Sequence, residues 1–292
     1  MRAVGIILAG GNNNRMKELT HKRAVAAMPI AGSYRSIDFA LSNMTNSHIQ
    51  KVAVLTQYNA RSLNEHLNSS KWWNFGRKQG GLYVFTPTIT NDNGYWYRGT
   101  ADAIYQNMDF LKKSHEPYVV IASGDAVYKM DYSKVLQYHI DKKADVTVVC
   151  KEMDPSDDVS RFGTIRMDDD MRITEFEEKP MVTKSNMIST GIYVIRRRLL
   201  IDLIEHAAEE ERFDFVNDVL IRYKNLKKIY GYKIDHYWSN IATVDAYYKT
   251  NMDFLKPEVR NYFFKQDPEI YSKVSDLPPA KYNPGASVKN SL

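Results

Sequence analysis

Apolar residues along this chain gather into short runs separated by longer stretches in which they recur at helical spacing. The runs Val4 to Leu8, Lys51 to Thr56, Tyr118 to Ala122, Val146 to Cys150 and Gly191 to Ile195 have the length of buried strands. Between them, Ile37 to Ser47 and Ser62 to Leu67 carry the one-sided apolar pattern of helices. So does Thr100 to Lys113, which opens after Gly99 with Thr100 and Asp102 available near its N-terminus. Alternation of this kind predicts an α/β domain with a mostly parallel central sheet. Ligands of such sheets sit at the carboxyl ends of the strands. The loop after the first run, Gly124 and Asp125 after the third, and the turn around Gly191 are therefore expected to converge on one cleft.

From Lys256 the pattern fails. Pro257, Pro268, Pro278, Pro279 and Pro284 interrupt a polar, tyrosine-containing tail that reads as a linker over 256–284. The last residues, PGASVKNSL, read either as the opening of a new structured unit or as an ordinary disordered tail. No internal repeat is visible.

With 292 residues and 43% hydrophobic composition, the chain can bury a full core as one large domain or as a domain with an appendage. The excess of Lys+Arg over Asp+Glu, 40 against 35, is mild and spread out. That argues for local anion sites and free phosphorylated metabolites rather than a nucleic-acid surface. Cys150 is the only cysteine, which excludes an internal disulfide framework and suits a reducing, cytoplasmic setting. The N-terminal apolar run is too short for a signal peptide, and no run approaches a membrane span.

The chemistry begins in VGIILAGGNNNR, Val4 to Arg15. A strand breaks at Gly10 and Gly11, whose backbone can approach a ligand closely with its N–H groups exposed, and Arg15 follows within reach of an anion. Asn12, Asn13 and Asn14 crowd a place where a triphosphate cradle carries small residues. The alternative for the glycine pair is a turn that merely ends the strand.

Several further segments, in order along the chain, carry a resemblance: HKRAVAAMPIAGSYRSIDFALSN, VLTQYNARSLNEHL, WYRGTADAIYQN, SGDAVYKMDY, FEEKP, STGIYV and YWSNIATVDAYYKTNMDFL. Together with the opening loop they resemble the ADP-glucose pyrophosphorylase (glucose-1-phosphate adenylyltransferase) family. The resemblance implies a Rossmann-like, GT-A-like nucleotidyltransferase domain over 1–255, followed by a left-handed β-helix of which 285–292 would be the start. It implies the reaction of ATP with glucose 1-phosphate to give ADP-glucose and pyrophosphate, with Mg²⁺ as cofactor. Such an in-line displacement at phosphorus is catalysed chiefly by positioning and charge stabilisation.

Carried over position by position, the resemblance implies that Arg15 and Arg23 lie near the triphosphate and that Asp125 binds the metal. Leu8, Gly10, Gly11, Gln57, Trp96, Gly99 and Thr100 fall on the nucleotide side. Glu178 and Lys179, with Ser189, Gly191 and Tyr193, fall on the sugar-phosphate side, and Asp214 and Asp218 shape the sugar site. Arg35 stands in the effector segment, where the family's lysine is Ser33. Two charged family positions are changed: a phosphate-side lysine is Val25, and the second metal aspartate is Asn240, flanked by Ser239 for an arginine and Ala242 for a glycine. An aspartate capping a turn is the alternative for Asp125, and an exposed ion pair is the alternative for Glu178 and Lys179.

These losses fall on phosphate and metal chemistry while the glucose-phosphate and adenine segments read through. The expectation is a regulatory or weakly catalytic, D-type subunit that binds ATP or ADP-glucose and glucose 1-phosphate, with weakened Mg²⁺ binding. Its partner would be a catalytic homologous subunit in a heterotetramer. A self-sufficient adenylyltransferase, with Lys17 or Lys22 replacing the lost lysine, and a non-enzymatic sugar-phosphate or nucleotide sensor are the alternatives.

Overall fold

A computed structural model describes residues 2–11, 14–76, 80–89, 94, 96–274 and 278–289. Its strands are β1 (Ala3–Leu8), β2 (Pro29–Ile30), β3 (Tyr34–Arg35), β4 (Lys51–Leu55), β5 (Gly81–Phe85), β6 (Tyr118–Ser123), β7 (Ala126–Tyr128), β8 (Val146–Glu152), β9 (Gly163–Met167), β10 (Ile173–Glu178), β11 (Met187–Arg196), β12 (Ile229–Ile234) and β13 (Trp238–Asn240). The helices are α1 (Ser36–Asn46), α2 (Arg61–Leu67), α3 (Thr100–Gln106), α4 (Met108–Lys112), α5 (Tyr132–Asp141), α6 (Arg197–Glu209), α7 (Val244–Asp253) and α8 (Pro257–Phe264).

The five apolar runs all become sheet strands. In the order β10-β9-β11-β6-β1-β4-β5, the block β6-β1-β4-β5 is parallel, with Leu8 in register with Leu55 on one side and Ser123 on the other. Strand β11 runs antiparallel to β6, β8 and β9, and β12 adds to β8 in parallel. Each central strand alternates between two cores. Ile7, Val52, Val54, Val120 and Ala122 pack against α1, α2 and α5 on one face. Val4, Ile6, Ala53, Leu55, Val119 and Ile121 pack with residues of α3, α4 and α6 on the other. This three-layer arrangement is the predicted α/β class, and β1 lies between strands reached in opposite directions, the switch point where ligand clefts form.

Two expectations change. The single helix Thr100 to Lys113 is two helices, because Asn107 turns its side-chain amide back onto the Ala103 carbonyl at 2.8 Å and breaks the ladder between α3 and α4. The segment read as a linker begins with a packed helix: Pro257 opens α8 at a position where proline is tolerated, and Phe263 and, beyond the helix, Ile270 are buried in a third apolar cluster with Met16, Val25, Val127, Ile241 and Phe254. Proline density marked the segment, but its aromatic residues decide its packing. Among the described residues no helix is long and apolar enough to cross a membrane.

Candidate active site at the strand ends

The carboxyl ends of β1, β4 and β6 are laced together by backbone. Gly124 N–H donates to the Leu8 carbonyl at 3.0 Å and Ala9 N–H to the Leu55 carbonyl at 2.8 Å. Gly10 comes next, and a Cβ there would lie 3.4 Å from the Gln57 backbone nitrogen, whereas a Cβ on Gly11 would meet nothing within 4 Å among the described residues. Gly10 therefore serves packing, and Gly11 has no such neighbour among the described residues. Asn12 and Asn13 lie outside the described residues. Arg15 is exposed on a kinked 3-10 segment anchored by fully buried Met16, and Lys17 next to it has φ 48°, a strained backbone for a lysine.

Asp125 follows β6 directly, and one carboxylate oxygen accepts the Ser123 hydroxyl at 2.5 Å. The short β7–β13 ladder brings the distant Trp238–Asn240 strand beside it. Asn240 pairs with Ala126, and Ile241 N–H donates to the Asp125 carbonyl at 3.0 Å. Asp125 and Asn240, the two positions that the resemblance assigns to a metal, thus lie next to each other. The donor set is thin for a metal, however. The Asn240 side-chain oxygen already accepts the Ala242 N–H at 3.1 Å, and among the described residues no group of three or more His, Cys, Asp or Glu could hold an ion. A single carboxylate suffices for Mg²⁺ only when substrate phosphates supply further ligands.

Val25 is 7% exposed and belongs to the apolar cluster of Met16, Val127 and Ile241, the last two flanking the Asp125 and Asn240 strands. Valine suits that environment as a lysine ammonium would not.

On the sugar side the predicted residues do converge. Gly191 has φ +75° at a bulge where β11 shifts register against β8, and a Cβ there would come 3.4 Å from Ser123 Cβ. The bulge places this turn against the end of β6, next to Asp125. Ser189 and Tyr193 share a hydrogen bond at 3.2 Å, and burial pushes the Tyr193 phenol up, with the Glu178 and Asp214 carboxylates adding to it. Glu178 pairs with Lys179 at 2.9 Å; Lys179 is 59% exposed and its backbone has φ 46°. The Asp218 carboxylate accepts the Phe213 and Asp214 N–H groups, and Asp214 caps the π-helical turn Phe215–Ile221 by accepting the Asn217 N–H. Both carboxylates thus hold backbone N–H groups at the start of this turn.

The nucleotide-side residues have mostly structural partners. Gln57 clamps the Tyr97 backbone, accepting its N–H at 2.6 Å and donating to its carbonyl at 3.3 Å. That leaves neighbouring Trp96, 62% exposed and stacked 6.0 Å from Tyr58, as the aromatic face available to a base. A Cβ on Gly99 would sit 2.3 Å from the Phe213 carbonyl oxygen, and Thr100 accepts the Phe215 N–H at 2.9 Å. Gly99 and Thr100 therefore dock α3 onto the sugar-side loop. Arg35 is half-buried, donating to the Ser62 carbonyl and hydroxyl at 2.8 and 3.0 Å; burial, then nearby Arg23, push its pKa down.

Arg161 and Gly163, in the loop entering β9, were not singled out by sequence reasoning. A Cβ on Gly163 would press on the Phe176 ring at 2.7 Å and Glu178 at 2.8 Å. Arg161 lies over the Phe162 ring, 4.7 Å from its centroid, and donates to Thr243 at 3.3 Å. Burial lowers its pKa, and among the neighbouring charges that act on it are Asp158, Arg15 and Asp125. It shares a cavity of about 530 Å³ with Ser239, Asn240 and Thr243. The only available signal was the Arg-Phe-Gly run before a strand, which has no meaning until the fold places it.

On this α/β sheet, with a glycine turn after β1, an aspartate after β6 and a bulge in β11, residues 4–257 match the nucleotidyl transferase family. Within it, the chain is 39% identical over 291 residues to the glucose-1-phosphate adenylyltransferase of Thermosipho melanesiensis, covering 99% of this chain and 70% of that protein. It is 40% identical over 292 residues to the enzyme of Clostridium novyi, covering 99% of this chain and 76% of that protein. It is 40% identical over 294 residues to that of Bacillus anthracis, covering 100% of this chain and 78% of that protein. The chain belongs to the glucose-1-phosphate adenylyltransferase family.

Proposed function

We propose that this protein is a regulatory or weakly catalytic, D-type subunit of glucose-1-phosphate adenylyltransferase. It would serve glycogen synthesis by the reaction of ATP with glucose 1-phosphate to ADP-glucose and pyrophosphate, in complex with a catalytic homologous subunit. The observation that carries this reading is that the β7–β13 ladder sets Asn240 opposite Ala126, one residue from Asp125, with Val25 in an apolar cluster beside it. A negative charge at position 240 and a positive charge at position 25, both expected to serve transfer of the adenylyl group with departure of pyrophosphate, are absent. Removal of one preorganised donor costs about 3 kcal/mol of transition-state stabilisation, roughly a hundredfold in rate.

In this reading Glu178, Ser189, Gly191 and Tyr193 orient glucose 1-phosphate, with Lys179 on its phosphate. Trp96 carries the base, Arg15 attracts the phosphates, and the Ser123 hydroxyl orients the Asp125 carboxylate. Mg²⁺, when bound, would neutralise phosphate charge; Asp125 is the residue that would hold it. The sugar-side convergence favours retained ligand binding over loss of the site altogether.

The test is pyrophosphate release from the purified protein alone, from a catalytic homologue alone, and from the two co-expressed. Turnover near zero alone, together with a stable mixed complex of altered substrate or effector response, is the expected result. Turnover of the lone protein at about 1 to 1000 per second would instead make it a self-sufficient enzyme.

A further inference from the structure

Asp125 is preceded by a glycine that is packed tightly on three sides. Gly124 is buried, and a Cβ there would stand 3.3 Å from each of Ala9 Cβ, Ala26 Cβ and Ile7 Cγ2. Glycine suits that packing, but it leaves the peptide plane between Gly124 and Asp125 easier to turn than any other residue would. The tilt of that plane sets the direction in which the Asp125 side chain leaves the backbone, so it has to be held from outside the loop. Three hydrogen bonds converge there. Ser123 Oγ donates to the Asp125 carboxylate at 2.5 Å, and Ile241 N–H donates to the Asp125 carbonyl at 3.0 Å. The carbonyl of Gly124, in the plane before Asp125, accepts the hydroxyl of Ser36 at 2.9 Å.

Ser36 is fully buried at the first position of α1, and its own place is well fixed. Its N–H donates to the Met28 carbonyl at 3.1 Å. Two residues on, Asp38 accepts the Arg35 N–H and the Ser272 hydroxyl and pairs with His66 at 2.6 Å. Farther along the same helix, Asn43 donates to the Tyr128 carbonyl and accepts the Met130 N–H, and Ser47 accepts the Tyr132 N–H. Positions 36, 43 and 47 share one face of a helix, so the chain from Gly124 to Tyr132 hangs on a row of buried polar side chains. Of the three, Ser36 is the one that reaches the peptide next to Asp125. We infer that Ser36 is a positioning residue of this cleft: its hydroxyl fixes the Gly124–Asp125 peptide plane and with it the aim of the Asp125 carboxylate. The inference rests on the reading of Asp125 as the residue that would hold Mg²⁺.

The experiment measures amide hydrogen exchange in the full chain and, separately, thermal stabilisation by Mg²⁺ alone. In Ser36→Ala, the Ile241 amide on the Asp125 carbonyl and the Gly124 amide on the Leu8 carbonyl should exchange at least about tenfold faster than in the wild type. Ser36→Cys keeps the volume with only a weak donor; it should do the same, and it decides if Ser36→Ala does not fold. Ser47→Ala removes a hydrogen bond of the same kind near the other end of α1 and should leave both amides slow. The aim of the carboxylate is read in Asn240→Asp, which supplies a second charge. The rise in melting temperature that Mg²⁺ gives this variant should be mostly lost when Ser36→Ala is added and kept when Ser47→Ala is added. A merely structural loss would lower the melting temperature equally with and without Mg²⁺.

Slow exchange of both amides in the Ser36 variants, equal acceleration in Ser47→Ala, or a Mg²⁺ effect that survives Ser36→Ala in the Asn240→Asp background each overturns the inference. If Asn240→Asp gains no stability from Mg²⁺, the reading of Asp125 as the metal carboxylate falls instead, and amide exchange alone decides whether Ser36 holds the turn.

Discussion

Asn240 stands one register step from Asp125: it pairs with Ala126 across the β7–β13 ladder, and the next amide, that of Ile241, donates to the Asp125 carbonyl at 3.0 Å. A carboxylate at position 240 can accept the Ala242 N–H as the amide oxygen does, so Asn240→Asp should fold normally. It puts a second negative charge beside Asp125 and should make Mg²⁺ raise the melting temperature more than in the wild type. Val25→Lys alone should destabilise by about 2 kcal/mol or more, because an ammonium enters the apolar cluster of Met16, Val127 and Ile241. The double variant should increase pyrophosphate formation by up to about a few hundredfold with new Mg²⁺ dependence. A double variant with flat activity and no metal response would sink the account by local charge.

The glycines at the cleft separate into two kinds. Gly99→Ala forces a Cβ to 2.3 Å from the Phe213 carbonyl oxygen, backbone against backbone, and should cost about 3 kcal/mol in a urea titration. Gly11→Ala meets nothing within 4 Å among the described residues and should shift stability by less than about 0.5 kcal/mol. Similar urea midpoints for the two variants would mean that α3 does not dock on the Phe213 loop as described.

His139 is buried against Tyr118, with Nδ1 2.9 Å from the Thr147 hydroxyl and Nε2 without a hydrogen-bond partner among the described residues. Burial, with nearby Arg196, pushes its pKa down from 6.5 to about 4. The folded state therefore takes up the proton less readily than the unfolded chain. The stability from keeping the ring neutral is fully present above pH 6.5 and is lost as pH falls from there to about 4. The loss amounts to about 3 kcal/mol at most. In His139→Phe that part of the acid sensitivity should vanish, and an unaltered slope of unfolding free energy over the same window would refute the assignment.

The segment after α8 is held by specific polar contacts. Ser272 donates to fully buried Asp38 at 2.6 Å, the carboxylate that also binds His66 and the Arg35 N–H. Tyr271 N–H donates to the Ser42 hydroxyl at 2.8 Å, and the Tyr271 carbonyl accepts the Trp73 indole at 3.2 Å. Ser272→Ala should cost about 1 to 3 kcal/mol by leaving Asp38 under-satisfied. Truncation before residue 267 should cost more still. Equal melting temperatures for truncated and full chains would restore the view of this segment as a free linker.

The architecture was legible because burial writes itself into local periodicity. The five apolar runs became β1, β4, β6, β8 and the second half of β11, each showing the alternation that feeds two cores. Strands β9, β10 and β12 passed unnoticed, since strands farther from the centre carry exposed polar residues such as Arg166, Glu175 and Lys233 that dilute the pattern. The site was legible only where function and motif coincide. Of the residues that the resemblance puts on the sugar side, Gly191 lies against Ser123 at the end of β6, Ser189 and Tyr193 share a hydrogen bond, and the Glu178 charge acts on Tyr193. Gln57, Gly99 and Thr100, by contrast, hold the Tyr97 and Phe213 loops together, a role visible only once those loops are in contact.

By itself the sequence determined the α/β class and the order of its central strands along the chain, and it holds valine at position 25 and asparagine at position 240, where the resemblance leads one to expect lysine and aspartate. The tertiary structure decided the rest. It placed Asn240 next to Asp125, buried Val25 among apolar side chains, docked the segment after α8 on Asp38, and brought Arg161 to the same cavity as Asn240. Periodicity records which face of a strand is buried, a local property. The charge at a point in a cleft is a sum over residues far apart in the chain, and only folding brings them within the few ångströms over which such charges act.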